Sequence, residues 1–207
     1  MRMAPAMVAA ALLVSGCTTT LSGEPVSGVP SSVTTNGTAA PTSTSRPPAK
    51  PLPFTPTIKN RTNDRTDGTT FEPCSAYTDA ELLALDINPT TITDAAKIDY
   101  PNFRGCDWLG TDYTAKRGGS QYSQIVGREL TLDEYKRTMK RLPWQADRTA
   151  NGRTIALAPE NNYCIAAFAS EKSIVTTSVI VTNPSPGRTV ECDRAFAFAS
   201  LAVSKAP

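Results

Sequence analysis

Apolar residues recur at helical spacing in three segments of the chain. Two of these segments begin with a capping box, Thr78–Glu81 and Thr131–Glu134. In each box a threonine and the glutamate three positions later satisfy the first unpaired backbone N–H groups of a helix. The first helix is predicted to run to about Asp86, because Asn88-Pro89 then stops it.

The second and third helices each carry one apolar stripe. In the second, the stripe is formed by Leu132, Tyr135, Met139 and Leu142, and Pro143 ends the helix. The third is predicted from about Cys192 to Lys205. Its stripe consists of small and aromatic residues that allow close approach to a sheet, namely Ala195, Phe196, Ala199, Ala202 and Val203.

Segments rich in β-branched and aromatic residues predict strands near Cys106–Leu109, Tyr122–Val126, Thr154–Ala158, Tyr163–Ala169 and Ile174–Val181. Turn-like Arg117–Ser120 separates the first two, and Asn151-Gly152 precedes the third. In Tyr163–Ala169 both alternating sets are apolar, as expected for a strand covered on both faces. The order α-β-β-α-β-β-β-α predicts an α+β domain, an antiparallel sheet of about five strands with helices packed on it.

The N-terminus has the pattern of an export signal. Arg2 is followed by an apolar stretch, Ala6–Val14, and by the small residues Ser15 and Gly16 before Cys17. The segment resembles a lipobox, in which cleavage precedes the cysteine and its thiol takes up a diacylglyceryl group. We therefore predict a signal peptide over residues 1–16 and a lipid anchor at Cys17 on the extracytoplasmic face of the cell membrane. The alternative is an ordinary secretory signal with a chance cysteine.

Residues 17–70 are predicted to be a lipidated, disordered tether. From residue 18 to residue 70, Ser, Thr, Pro and Gly make up 32 of 53 residues. Such a segment cannot bury enough apolar surface to offset its ordering entropy. A single folded domain is accordingly predicted over residues 71–207.

Four further cysteines lie in the predicted domain: Cys74, Cys106, Cys164 and Cys192. An even number in an exported domain favours two disulfides over free thiols. Four cysteines permit three connectivities, and the sequence alone does not choose among them. We favour Cys74 with Cys106 and Cys164 with Cys192, each pair enclosing roughly thirty residues. A zinc site of all four thiolates is the competing interpretation, but the close spacing typical of such sites is missing.

The same residues carry a resemblance to a known family. The segments Glu72–Leu82, Gly105–Trp108, Tyr163–Ile165 and Val190–Ala195 resemble the pattern of actinobacterial lipoproteins grouped under domain of unknown function 3558. The resemblance covers about residues 71–205. It implies a mycobacterial or related envelope, and it implies no catalytic residues, because the family is uncharacterised.

The one basic concentration of the predicted domain is Lys136, Arg137, Lys140 and Arg141, with Arg128 and Arg148 nearby in sequence. On the helix these four residues fall away from the apolar stripe. In the structural interpretation these residues form a solvated outer face. In the functional interpretation they contact anionic lipid head groups or an acidic partner. Residues 71–207 carry 15 Lys and Arg against 16 Asp and Glu, so there is no electrostatic case for nucleic acid.

Two other sets of side chains are candidates for chemistry. Asp99, Asp107 and Asp112 flank the first strand region, where turn-forming roles are expected rather than an acid/base pair. Trp108 and Trp144 would serve as stacking platforms for a ligand, but Trp108 shares a strand face with Cys106 and is expected to pack against the disulfide.

Histidine is absent from the chain, which removes the commonest general base and metal ligand. No phosphate-binding loop, nucleophile elbow or metal-binding spacing is present in the sequence. We therefore predict a non-enzymatic binding module for an envelope lipid, glycan or protein partner, with no cofactor and no metal. The alternative is an envelope enzyme of unfamiliar type.

Overall fold

A seven-stranded antiparallel sheet forms the centre of the part of the chain that the structure describes. This computed structural model describes residues 51–56, 58, 60–96, 103–182 and 184–207. The strands are β1 (Ile87–Asp94), β2 (Arg104–Gly110), β3 (Ser120–Glu129), β4 (Arg148–Ala150), β5 (Arg153–Pro159), β6 (Tyr163–Ser170) and β7 (Ser173–Val181). The helices are α1 (Asp79–Leu83), α2 (Leu132–Thr138) and α3 (Arg188–Lys205), and a 3₁₀ turn covers Pro73–Ser75.

The strand order is β1-β2-β3-β7-β6-β5-β4. Two blocks of consecutive antiparallel strands, β1 to β3 and β4 to β7, therefore meet at the central pair β3 and β7. Between the blocks the chain passes through α2 to the far edge of the sheet and returns strand by strand. This crossover puts α2 beside the sheet.

The prediction of an antiparallel sheet with three helices and two disulfides is confirmed. The predicted number of about five strands is wrong, because the sequence pattern does not indicate β1 and β4. The element order is α-β-β-β-α-β-β-β-β-α. Asn88-Pro89 indicated a helix stop, yet both residues lie in β1. Proline is tolerated there because β1 is an edge strand with an irregular register between Asn88 and Thr93. β4 has three largely exposed residues, too few for a pattern to show.

Both capping boxes form as predicted, but the helix bounds differ. α1 ends at Leu83 rather than Asp86, and α2 ends at Thr138 rather than at Pro143. After Thr138 the backbone leaves helical geometry so that the indole N–H of Trp144 can donate to the Met139 carbonyl at 3.2 Å. α3 begins earlier than predicted, after Gly187, whose positive φ of 98° favours glycine.

One face of the sheet is covered by α3 and is filled. Phe198 of α3 is fully buried, and its ring lies 5.4 Å from Tyr77, 5.5 Å from Trp108 and 6.0 Å from Tyr122, centroid to centroid. Tilted and edge-on ring pairs of this kind add to the free energy of burial. This face is therefore the hydrophobic core of the protein.

A short polar chain crosses that core. The Tyr77 hydroxyl donates to the side-chain oxygen of Gln124, and the Gln124 amide donates to Thr177 at 2.9 Å. Burial raises the pKa of Tyr77 well above its usual value, so the phenol stays protonated and can donate. Gln124 and Thr177, two of the buried polar side chains of the central strands, are thereby satisfied.

The folded part starts before Phe71, the boundary predicted from composition. Arg61 is buried and its guanidinium donates to Glu72 at 3.1 Å, to Asp94 at 3.0 Å and to the Gly105 carbonyl at 3.0 Å. Arg104 in turn binds backbone carbonyls of the segment before Phe71, including that of Thr69 at 2.7 Å. The low hydrophobicity of residues 60–70 predicts disorder, but hydrogen bonds to buried guanidinium groups hold this segment in place instead of the burial of apolar side chains.

Candidate functional site

The four cysteines of the fold form two structural disulfides and are not metal ligands. Disulfides join Cys74 to Cys106 and Cys164 to Cys192, the pairing that the loop lengths favour. All four residues are buried. Among the residues that the structure describes, no group of His, Cys, Asp or Glu side chains is arranged to hold a metal ion. The first disulfide ties the 3₁₀ turn to β2, and the second ties β6 to the first turn of α3.

Both tryptophan rings pack against neighbouring side chains. Trp108 is 2% exposed, and its ring lies edge-on to Tyr77 and Phe198. Trp144 packs edge-on against Tyr135 at 5.9 Å and lies beneath Lys136. Trp108 is therefore not accessible to a stacking ligand, whereas Trp144 is half-buried beside α2.

Of the three candidate carboxylates, the structure describes Asp107 and Asp112, which lie on opposite faces of the sheet. Asp99 lies outside the described residues. Asp112 accepts hydrogen bonds from the Ser120 amide at 3.0 Å and hydroxyl at 2.7 Å, and Arg194 lies 3.7 Å away. Although burial opposes ionisation, these partners outweigh it and lower the pKa of Asp112. Asp107 instead lies on the other face of the sheet, in a groove described below.

The four basic side chains of α2 and of the turn after it differ in their surroundings. Lys136 pairs with Asp147 at 2.9 Å, whereas Arg137, Lys140 and Arg141 are exposed. Only Lys136 and Arg137 lie on the helix, because α2 ends at Thr138. Contact of these groups with an anionic surface stays a prediction.

The face of the sheet opposite α3 is only partly covered. Over β1, β2, β3 and β7 it forms a shallow groove of about 460 Å³. Its polar lining consists of Thr91, Thr93, Asp107, Gln121, Ser123 and Ser178. The hydroxyl and amide groups of such a surface bind water or a polar ligand equally well, since they offer both donors and acceptors.

Next to the groove, α2 roofs an apolar cleft of about 480 Å³. The floor comes from Ile125 of β3, Ile165 of β6 and Ile174 of β7, and the roof from Tyr135 and Met139. Ser178 lines both the cleft and the groove, so the two are neighbours on this face of the sheet. The volume lies within the range of about 300–1,000 Å³ found for small-molecule sites.

The roof of the cleft is held by contacts on both sides of α2. Before the helix, the Leu130 amide donates to the Lys172 carbonyl at 3.1 Å. After it, Gln145 donates to Leu157 at 2.9 Å. Burial raises the pKa of Tyr135, as expected for a phenol turned toward apolar surroundings. The cleft is therefore a fixed feature of the crossover between the two strand blocks.

One end of the cleft is polar and positive. Phe103, Gly127 and Arg128 line the cleft and also a recess of about 90 Å³, which Arg65 completes. Phe103, at this end of the cleft, is 47% exposed. Arg128 is exposed and, within the described part of the chain, makes no ion pair.

The sequence pattern alone does not predict this cleft. The available signal was the alternation in β6, where Ile165 belongs to a second apolar set that indicated cover on both faces. That cover is α2, but it is incomplete. Ile125 and Ile174 lie far from Ile165 in the chain and join it only through the strand order.

Comparison with known proteins gives one match. The model of a family described as Protein of unknown function (DUF3558) matches residues 12–205. No curated protein and no solved structure matches the chain. The match includes every strand and helix of the fold, and it assigns no role to any residue.

Proposed function

Because the chain belongs to the DUF3558 family of proteins of unknown function, its role has to be inferred from its own surfaces, and we propose that it is a non-enzymatic binding module of the cell envelope. The proposed ligand is an envelope lipid, glycan or protein that docks on the sheet face opposite α3. The apolar cleft under α2 carries this proposal, because it is a concave apolar site with polar groups at its margins.

The side chains that line the two hollows favour binding over catalysis. The groove contributes hydroxyls, one amide and the carboxylate of Asp107, and the cleft contributes mainly hydrocarbon. Hydrolytic or proton-transfer chemistry uses an acid and a base, or a nucleophile and its activating base, within hydrogen-bond reach. Among the described residues, no lysine, histidine or cysteine lines either hollow, and these are the side chains that most often activate a nucleophile or act as one. An enzyme of unfamiliar type is the alternative that the following test addresses.

In the test, the mature chain (residues 17–207, with Cys17→Ala so that no detergent is needed) is mixed with separate fatty acids, phospholipids and soluble glycans. One class is expected to raise the unfolding temperature, because a ligand at 100 times its Kd stabilises by about 2.7 kcal/mol. Mass spectrometry is expected to recover that ligand unchanged. Chemical conversion of the ligand, abolished by heat-unfolding the protein, would instead establish the enzyme alternative.

The second part of the proposal is the membrane anchor. The described residues contain no helix long and apolar enough to cross a bilayer. We propose attachment through acyl chains on Cys17, with the segment before the fold acting as a spacer; each buried methylene contributes roughly 0.8 kcal/mol. The family match reaches back to residue 12 and so spans Cys17 and the end of the apolar stretch before it.

The anchor has a direct test. The mass of the membrane-extracted protein is expected to equal that of residues 17–207 with a diacylglyceryl group on the Cys17 sulfur, with or without a third acyl chain on its amino group. Cys17→Ala is expected to remove the lipid and release or mislocalise the protein, whereas Ser15→Ala, which keeps a small residue, leaves both unchanged. A wild-type protein recovered from the membrane without lipid, or with its N-terminus elsewhere, would refute the anchor.

A further inference from the structure

We propose that the cleft under α2 is a binding site for one long-chain carboxylate, a fatty acid, with its alkyl chain between α2 and the sheet and its carboxylate at Arg128. This inference rests on the proposed binding function and names its ligand class. The site combines an apolar cleft with a recess at one end that Arg65 and Arg128 line, next to the half-exposed ring of Phe103.

The shape and lining of the cleft fit a single alkyl chain. Side chains from Ile125, Ile165 and Ile174 line its floor, and Tyr135 and Met139 close it from above. Methionine adapts to irregular apolar partners, because its side chain is unbranched and flexible. A cleft of about 480 Å³ lies toward the lower end of the range for small-molecule sites, which favours one chain over two.

The charge at the end of the cleft selects the head group. The guanidinium of Arg128 matches a carboxylate in charge and offers paired donors. The recess between Arg65 and Arg128 is small, with about 90 Å³ against about 480 Å³ for the cleft. A recess of this size suits a compact carboxylate better than a bulkier glycerophosphate head group. Charge and space together favour a fatty acid over a lysophospholipid.

The glycine at the junction of cleft and recess offers a way to block the site. Gly127 faces the cleft, and a Cβ added there would meet only the Ile174 carbonyl, at an ordinary contact distance of 3.6 Å. Gly127→Leu is therefore expected to fill the junction without disturbing the backbone. Gly127→Ala is the matched control, because one methyl group leaves the cleft open.

The experiment uses the mature chain with Cys17→Ala and measures displacement of a fluorescent dansyl fatty acid by palmitate. We expect Gly127→Leu to abolish binding and Gly127→Ala to retain it. Arg128→Glu is expected to weaken palmitate binding on the order of tenfold or more, the range for hydrogen bonds to charged groups. Arg137→Glu, the same charge change on the exposed side of α2, is expected to change it less than about twofold. Thermal unfolding confirms that each variant folds.

The outcomes separate this inference from the proposed function. Palmitate binding that survives both Gly127→Leu and Arg128→Glu would overturn the site. Hexadecanol binding as tightly as palmitate, or lysophosphatidate binding tenfold more tightly, would overturn the carboxylate. If folded wild-type protein binds no palmitate but a glycan or another lipid raises its unfolding temperature, the inference fails and the proposed function stands.

Discussion

Phe198→Ala is expected to lower the free energy of unfolding by about 3 to 5 kcal/mol, the range for truncating a fully buried aromatic ring. Phe198 has no exposed surface and contacts three other rings, those of Tyr77, Trp108 and Tyr122. Tyr77 lies between the 3₁₀ turn and α1, Trp108 lies in β2 and Tyr122 lies in β3. The Phe198 side chain therefore connects α3 to all three of these parts of the fold, and the substitution removes those contacts. The surrounding elements are bound to one another and cannot collapse into the space left behind.

Val190→Ala is the matched control, because Val190 lies on the same helix and is 40% exposed. Its expected effect is within about 0.5 kcal/mol, as for most surface substitutions. Both variants are measured by urea unfolding with the disulfides intact. An effect of Phe198→Ala no larger than that of Val190→Ala would show that α3 does not seal the core as described.

Replacing Cys164 and Cys192 together by alanine is expected to destabilise the protein by about 3 to 4 kcal/mol on the loop-entropy model. The disulfide spans 28 residues and ties the buried strand β6 to the start of α3. Without it, the unfolded chain gains freedom, and α3 loses the one disulfide that joins it to the sheet among the described residues.

The comparison variant is Cys74→Ala with Cys106→Ala, which opens a loop of 32 residues and is expected to have an effect of similar size. Calorimetry measures both pairs against the wild type. Thiol labelling of the unfolded, unreduced wild-type protein is expected to detect no free cysteine among these four. A loss below about 1 kcal/mol for the Cys164 and Cys192 pair would contradict the stapling role.

The elements that sequence predicts well are those with a local cause. Both capping boxes form because a threonine hydroxyl and a glutamate three residues later suffice to start a helix. The hairpin between β2 and β3 follows from the two glycines before Ser120, both of which adopt positive φ. Such features need no knowledge of the rest of the chain.

The elements that sequence misses depend on distant partners. Pro89 indicates an end to regular structure, and only the position of β1 at the sheet edge allows a strand there. Arg61 lies in a segment whose composition predicts disorder, yet Glu72, Asp94 and Gly105 bind its guanidinium. No local pattern announces a contact between residues 33 positions apart.

The candidate site belongs to this second kind. The basic residues after Thr131 form a cluster that the sequence shows directly, whereas the cleft is lined by other side chains of the same segment, Tyr135, Thr138 and Met139. In the sequence, Arg128 is only a neighbour of that cluster. Its position at the end of an apolar cleft follows from the pairing of β3 with β7, which no periodicity predicts.

The most direct measurement is an NMR titration of the mature Cys17→Ala chain, labelled at isoleucine δ1 methyl groups, with palmitate. The account predicts shifts of the Ile125, Ile165 and Ile174 methyl signals, because all three line the cleft. Ile155, which is fully buried in the core on the other side of the sheet, is the internal control and should not shift. Unchanged cleft signals at saturating palmitate, or shifts confined to isoleucines outside the cleft, would contradict it.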